Sequence, residues 1–222
     1  MDFTGKKILV TGGAGFIGAN FVYKFLELGA EVIIAERKGA DTWRLKNITI
    51  KTVDLANASD VEKLVAEIKP EIIIHLAAYG AYQRFQQDIN LTIDTNLKGT
   101  INLVNACQKI EVEAFINTGT NSEYGIKENP MKETDILEPD NLYGITKAAT
   151  SQYCQMVAKK HGFPILTIRP FAVYGPLEEK GRLITDIITS CLTGKELKLS
   201  SPDSVRDFIF IDDLFVGYLA AI

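Results

Sequence analysis

Tyr143 and Lys147 stand four residues apart in the segment Tyr143-Gly144-Ile145-Thr146-Lys147. On a helix that spacing puts both side chains on one face, one turn from each other. A phenol ordinarily has a pKa of about 10, too high for a base near neutral pH. An ammonium one turn away, with an oxidised nicotinamide cation nearby, would lower it. A tyrosine so placed takes the proton from a substrate hydroxyl while the carbinol carbon gives hydride to nicotinamide. In the reverse direction it protonates the developing alkoxide. Thr120 can donate a hydrogen bond to the same oxygen and fix its position. On its own the Tyr-Lys pair is a weak signal, so its weight rests on the elements around it.

The strongest of these is Thr11-Gly12-Gly13-Ala14-Gly15-Phe16-Ile17-Gly18. It follows the apolar run Lys7-Ile8-Leu9-Val10 and opens the amphipathic segment Ala19 to Leu26. Strand, glycine turn and helix in that order are the context a dinucleotide fingerprint requires. Gly12 lets the chain leave the strand sharply, Gly15 lets the backbone approach a pyrophosphate, and Gly18 lets the helix pack closely on the strand. The free N–H groups and the positive dipole end of that helix then face the phosphates. A glycine loop that only turns the chain is the competing reading, and its place between this strand and this helix weighs against it.

A second strand, Glu31 to Ala35, ends at Glu36-Arg37-Lys38. A carboxylate there bonds the ribose 2′-hydroxyl of NAD, whereas an arginine accommodates the 2′-phosphate of NADP. Both types stand side by side, so the cofactor is NAD(P) with the choice open. A third strand spans Ile48 to Val53, and Ser59-Asp60 is expected to cap a helix running to Lys69. Glu71 to His75 is nearly continuous in apolar residues, as a parallel strand buried on both faces should be. It leads into Leu76-Ala77-Ala78, small enough for a ligand to lie against the backbone. His75 reads as a hydrogen-bonded structural residue, with a catalytic base as the other reading. Asp88 to Ile110 has helical periodicity, Ala114 to Asn117 forms a fifth strand, and Thr118 to Gly125 is a polar loop at its carboxyl end. The helix opened by Tyr143 runs to about Lys160, and Ile165 to Arg169 is a sixth strand. This alternation predicts an α/β fold with a parallel sheet.

With 222 residues, 46% of them apolar, the chain can bury a substantial core. A net charge of -4 from evenly mixed signs leaves no footprint for nucleic acid. Apolar runs are too short for a membrane span, and the first residues lack the pattern of a signal peptide. Cys107, Cys154 and Cys191 are scattered as in a reducing compartment, and His75 and His161 have no ligand cluster around them. A soluble cytoplasmic protein without a metal site is expected.

On these motifs the sequence resembles the extended short-chain dehydrogenases/reductases of the NAD-dependent epimerase/dehydratase family, which mostly act on nucleotide sugars. The matches are Thr11 to Gly18, Asp54, His75 to Ala78, Asn96 to Thr100, Thr120 with Tyr124-Gly125, Tyr143 with Lys147, Arg169-Pro170, Tyr174-Gly175-Pro176, and Arg206-Asp207-Phe208 before Asp212-Asp213. The resemblance implies a Rossmann-type doubly wound parallel sheet over residues 1–176. Residues 177–222 would form a small, shortened substrate lobe interleaved with it. Thr120, Tyr143 and Lys147 would be catalytic. Gly12, Gly15, Phe16, Ile17, Gly18, Glu36, Arg37, Asp54, Leu55, Leu76, Ala77, Ala78 and Asn96 would bind the cofactor together with Tyr143 and Lys147. Asn121, Ser122 and Arg206 would meet the substrate, with Lys180, Arg182 and Lys195 as further phosphate contacts of low rank. The resemblance further implies a homodimer paired through the helix after Leu91 and the helix carrying Tyr143. Leu103, Tyr153 and Met156 would serve that interface or the core.

Related 4,6-dehydratases carry acidic residues just after the catalytic threonine. Here Asn121 and Ser122 occupy those places, and neither acts as an acid or base near neutral pH, which disfavours dehydration. A nucleotide-sugar epimerase and an NAD(P)H-dependent 4-ketoreductase need only the triad, and the epimerase is placed first. A non-catalytic dinucleotide sensor is the third reading, against which the intact triad counts. Phe208 to Ile211 reads as a strand, with Asp212-Asp213 capping a last short helix. Members of the family continue further, so the resemblance implies a fragment, a shortened form or an incomplete sugar site.

Overall fold

The structure is a computed structural model that describes residues 2–81, 88–197, 199 and 205–222. Six strands are built first by the apolar runs: β1 (Lys7–Thr11), β2 (Glu31–Glu36), β3 (Ile50–Thr52), β4 (Ile72–His75), β5 (Ala114–Thr118) and β6 (Ile165–Ile168). They lie in the order β3-β2-β1-β4-β5-β6, and every pairing is parallel. β4 and β5 are buried along their whole length, which is why they carry almost no polar alternation. The order reverses direction at β1, and the loops leaving β1, β4 and β5 open a crevice at the carboxyl edge. This is the doubly wound Rossmann sheet expected from the sequence.

Helices α1 (Phe16–Glu27), α2 (Ala58–Ile68), α3 (Ile89–Thr92), α4 (Gly99–Cys107) and α5 (Leu142–His161) connect the strands. The expected Ser59-Asp60 cap of α2 moves to Asn57, whose side chain accepts from the N–H groups of Ser59 and Asp60. Asn57 has the extended backbone a cap requires, while Ser59 is already inside the helix. The helix expected over Asp88 to Ile110 runs from Ile89 to Cys107 as α3, a π-helical stretch at Ile93–Lys98 and α4, with the backbone helical through both junctions. The third strand is also shorter than Ile48 to Val53.

After β6 come β7 (Ala172–Tyr174), α6 (Leu183–Thr193), β8 (Phe208–Phe210) and α7 (Ile211–Ala221), with β7 and β8 paired in a small parallel sheet of their own. Asp212 and Asp213 do not cap α7. Phe210 holds that position, and the two carboxylates sit in the first turn, where the helix dipole favours them. Leu214, Phe215 and Tyr218 of α7 enter the same core as Phe21 and Phe25 of α1. Their rings meet edge to face at 4.8 to 5.1 Å, contacts worth about 0.5–1.5 kcal/mol each beyond burial. The last helix therefore packs on α1. Of residues 177–222, expected as a lobe, positions 198 and 200–204 are outside the described residues. Leu103 is fully buried in the single chain, so it serves the core; Met156 remains 42% exposed. No helix among the described residues is long and apolar enough to cross a membrane.

Candidate active site

The glycine turn sits where β1 reaches the crevice. Gly12 has φ +71°, and a Cβ there would lie 2.6 Å from the Ala77 nitrogen. At Gly18 a Cβ would come within 2.2 Å of the Gly12 carbonyl oxygen, so helix and strand pack this closely only with glycine. At Gly15 the only near neighbour is that same oxygen at 3.2 Å, and the rest of the space is open. Gly15 is also the N-cap of α1, with no side-chain cap and no acidic residue in the first turn. By contrast α2 and α5 are capped by Asn57 and Asn141. The first turn of α1 thus keeps its N–H groups and positive end for an anion at the crevice.

Two adjoining cavities share Gly12, Gly15, Leu76 and Ala78 and form one cleft across the turn. The first, of about 430 Å³, is walled by Glu36, Arg37, Lys38, Asp54, Leu55 and Ala77. Glu36 accepts the Ala14 N–H at 2.7 Å, and burial raises its carboxyl pKa against the effects of that bond and of Arg37. The Arg37 guanidinium lies 6.0 Å from the centre of the Tyr79 ring. The second cavity, of about 400 Å³, collects Phe16, Ile17, Gly18, Thr120, Asn121, Ser122, Tyr143, Lys147 and Arg206. Arg182, ranked low from the sequence, lines it as well, together with Pro170 and Phe171. The expected catalytic, substrate and cofactor residues therefore meet along one cleft, with one exception, while Lys180 and Lys195, the further phosphate contacts of low rank, line neither cavity.

That exception is Asn96, which does not line the cleft. It is fully buried, accepts the Tyr79 N–H at 2.7 Å, and donates to the Tyr79 carbonyl at 2.9 Å and the Thr146 hydroxyl at 3.1 Å. Its amide is spent on holding the loop after β4 against α5, so it shapes the wall from behind. His75 is likewise structural: its two ring nitrogens bond the hydroxyls of Thr11 at 2.6 Å and Thr100 at 2.8 Å. Complete burial pushes its pKa down to about 3, so the ring is neutral near pH 7.

Asn141 caps α5 by accepting the Gly144 N–H at 2.9 Å, which sets the first turn carrying Tyr143 and, one turn on, Lys147. Lys147 is 1% exposed, and burial brings its pKa from 10.5 down to about 8. Thr120 caps the short 3-10 turn Asn121–Glu123, its hydroxyl accepting the Ser122 N–H at 3.2 Å. Below it, Glu123 is fully buried and bonded to Arg169, and the Thr118 hydroxyl bonds that of Tyr218 on α7 at 2.7 Å. Sequence reasoning missed both supports. The signal available for the first was a Glu within a polar loop and an Arg at a strand end, which only the sheet order brings together.

Sheet order, glycine turn and cleft define a dinucleotide-binding protein of the short-chain dehydrogenase/reductase class. More narrowly, the chain belongs to the NAD dependent epimerase/dehydratase family, whose model matches residues 8–222. Among its relatives, an uncharacterised UDP-glucose epimerase of Bacillus subtilis (strain 168) is 27% identical, with 97% of this chain and 72% of that protein covered. A dTDP-D-glucose 4,6-dehydratase of Dictyostelium discoideum is 29% identical, covering 96% of this chain and 54% of that protein. The solved UDP-glucuronic acid 4-epimerase of Bacillus cereus, in complex with UDP-glucuronic acid and NAD, is 30% identical with a TM-score of 0.82. It covers 97% of this chain and 72% of that one.

Proposed function

We propose that the chain carries the catalytic residues of a nucleotide-sugar 4-epimerase that uses NAD. The observation supporting this is the cleft with Glu36, Arg37 and Asp54 at one end and Thr120, Tyr143 and Lys147 at the other. Gly12, Gly15 and the uncapped start of α1 would hold a pyrophosphate between them, and the open space at Gly15 fits that group. The bound nicotinamide would supply the hydride acceptor and donor. Tyr143 as phenolate takes the proton from the sugar hydroxyl, Thr120 orients that oxygen, and the Lys147 cation stabilises the phenolate. Once the keto sugar has turned over, the opposite face of its carbonyl carbon would receive the hydride back, and Tyr143 returns the proton to the oxygen. Asn121 and Ser122 border the cleft without an ionisable group, and Glu123 is buried beneath it, so the two positions after Thr120 supply no acid or base for loss of water. Arg182 and Arg206 are our candidates for the substrate diphosphate. Met156, still exposed on α5, is the candidate for pairing two copies.

The preference for NAD follows from Glu36. A 2′-phosphate would be set against its partly desolvated carboxylate, while Arg37 is drawn over Tyr79. Titrated by fluorescence, NADH should bind at least tenfold tighter than NADPH, roughly 1.4 kcal/mol. Equal affinities would mean that Glu36 does not select.

The function itself is tested by incubating the protein with pooled UDP-, dTDP-, GDP- and CDP-sugars and their 4-keto forms, following nicotinamide absorbance and sugar products together. New sugar isomers without net cofactor change are expected. Stoichiometric loss of NAD(P)H would replace the epimerase with a ketoreductase. Bound cofactor with no product would overturn the enzymatic reading of this chain.

A further inference from the structure

Glu123 is fully buried and absent from the cleft wall, yet it is built into the support of every triad member. One carboxylate oxygen accepts the Thr120 main-chain N–H at 2.9 Å, and the other accepts Arg169 Nε at 2.6 Å. Arg169 is held in turn by the Tyr124 hydroxyl at 3.1 Å. Room for the carboxylate exists because residue 119 is glycine: a Cβ there would lie 2.2 Å from Glu123 Oε1. The turn that carries Glu123 is seated on the first turn of α5, where the Ser122 carbonyl oxygen lies 2.5 Å from the place a Cβ on Gly144 would take. Tyr143 directly precedes that glycine, and Lys147 follows one turn after Tyr143.

We propose that Glu123 is a positioning residue for the proton transfer, fixing the main chain of Thr120 and setting a carboxylate in the turn that seats the first turn of α5, on which Tyr143 stands and Lys147 follows. The proposal rests on the reading of Thr120, Tyr143 and Lys147 as the reacting groups. Lys147 is opposed by its burial, and Glu123 is the first group that acts in its favour. The other groups around Lys147 are Tyr143, one turn before it on α5 and its phenolate partner in the proposed reaction, together with His75, Cys154 and Arg169. His75 on β4 is neutral with its pKa near 3, and the Cys154 thiol on α5 is pushed up to about 12 and is neutral too. Arg169, beyond β6, carries the same sign as Lys147 and is bonded to Glu123. Glu123 thus serves two cations, which is why a neutral amide cannot replace it.

Two variants separate positioning from charge. Glu123→Gln removes the anion, and Glu123→Asp keeps it but withdraws it from Thr120 by one methylene. In protein with isotope-labelled lysines, the Lys147 signal, identified by its loss in Lys147→Met, should titrate by NMR near pH 8 in the unaltered chain. It should titrate at clearly lower pH in Glu123→Gln and close to the unaltered value in Glu123→Asp. Both variants should lower kcat by roughly ten- to a hundredfold, and only Glu123→Gln should move the basic limb of the pH profile to lower pH. An unmoved Lys147 titration in Glu123→Gln, or an unaltered kcat in Glu123→Asp, would overturn the proposal. If Glu123→Gln does not fold, a Lys147 titration displaced downwards in Glu123→Asp counts against it as well. The NMR titration needs no turnover, so an inactive parent chain would sink the enzymatic reading without touching the electrostatic one.

Discussion

Tyr143→Phe should lower turnover of a nucleotide sugar by roughly a thousandfold, the scale of a lost acid–base group, with NADH affinity kept within a few-fold. The split follows from the cleft. Tyr143 lines the cavity that also holds Thr120 and Lys147, whereas Glu36, Arg37 and Asp54 line the other cavity across the glycine turn. Phenylalanine fills the same space and removes only the oxygen, so a stopped-flow or end-point assay beside a fluorescence titration reads the two effects apart. A variant with full activity would show that another group moves the proton.

Lys147→Met should abolish measurable turnover and at the same time raise the melting temperature. The lysine is buried, and its pKa falls from 10.5 to about 8 because burial disfavours the charge. A group whose pKa is lower in the folded state costs stability wherever it is still protonated, so the cost is full below about pH 8 and vanishes above the unfolded value. Methionine of similar length removes that cost, on the order of 1–3 kcal/mol at neutral pH. The gap in melting temperature should therefore be widest at pH 8 and below and should close as the pH approaches that of free lysine. Glu123 does not become an orphan in this variant, because Arg169 still holds it. Equal melting temperatures at pH 7 would mean that the ammonium is better compensated than its burial implies. Stability given up for function at this position is what a site residue, and not a core residue, should show.

The two variants probe parts of the molecule that were legible in different degrees. Strands β1, β4 and β5 were read from continuous apolar runs, and their buried faces explain why the pattern was so plain. Boundaries and caps were read less well. Asn57 displaced Ser59-Asp60, and Phe210 displaced Asp212-Asp213, because a cap is defined by the backbone angle of one residue and not by residue type alone. The π-helical stretch at Ile93–Lys98 left no mark in the periodicity. Asn96 was expected at the cofactor and instead braces Tyr79 and Thr146, a difference that depends on which way one turn of a helix faces.

What the sequence by itself determined is the local chemistry: a strand, a glycine turn and a helix start that suit a pyrophosphate, and a tyrosine and lysine one helical turn apart. These follow from spacing within a few residues, where the geometry of strand, turn and helix leaves little choice. Only the tertiary structure decided what holds that chemistry in place. Glu123 meets Arg169 across 46 residues and Thr118 meets Tyr218 across 100, pairings created by laying β6 beside β5 and α7 against α1. Burial decided the rest, since the same lysine that would be an ordinary cation in water becomes, inside this core, a group whose pKa is brought down to about 8.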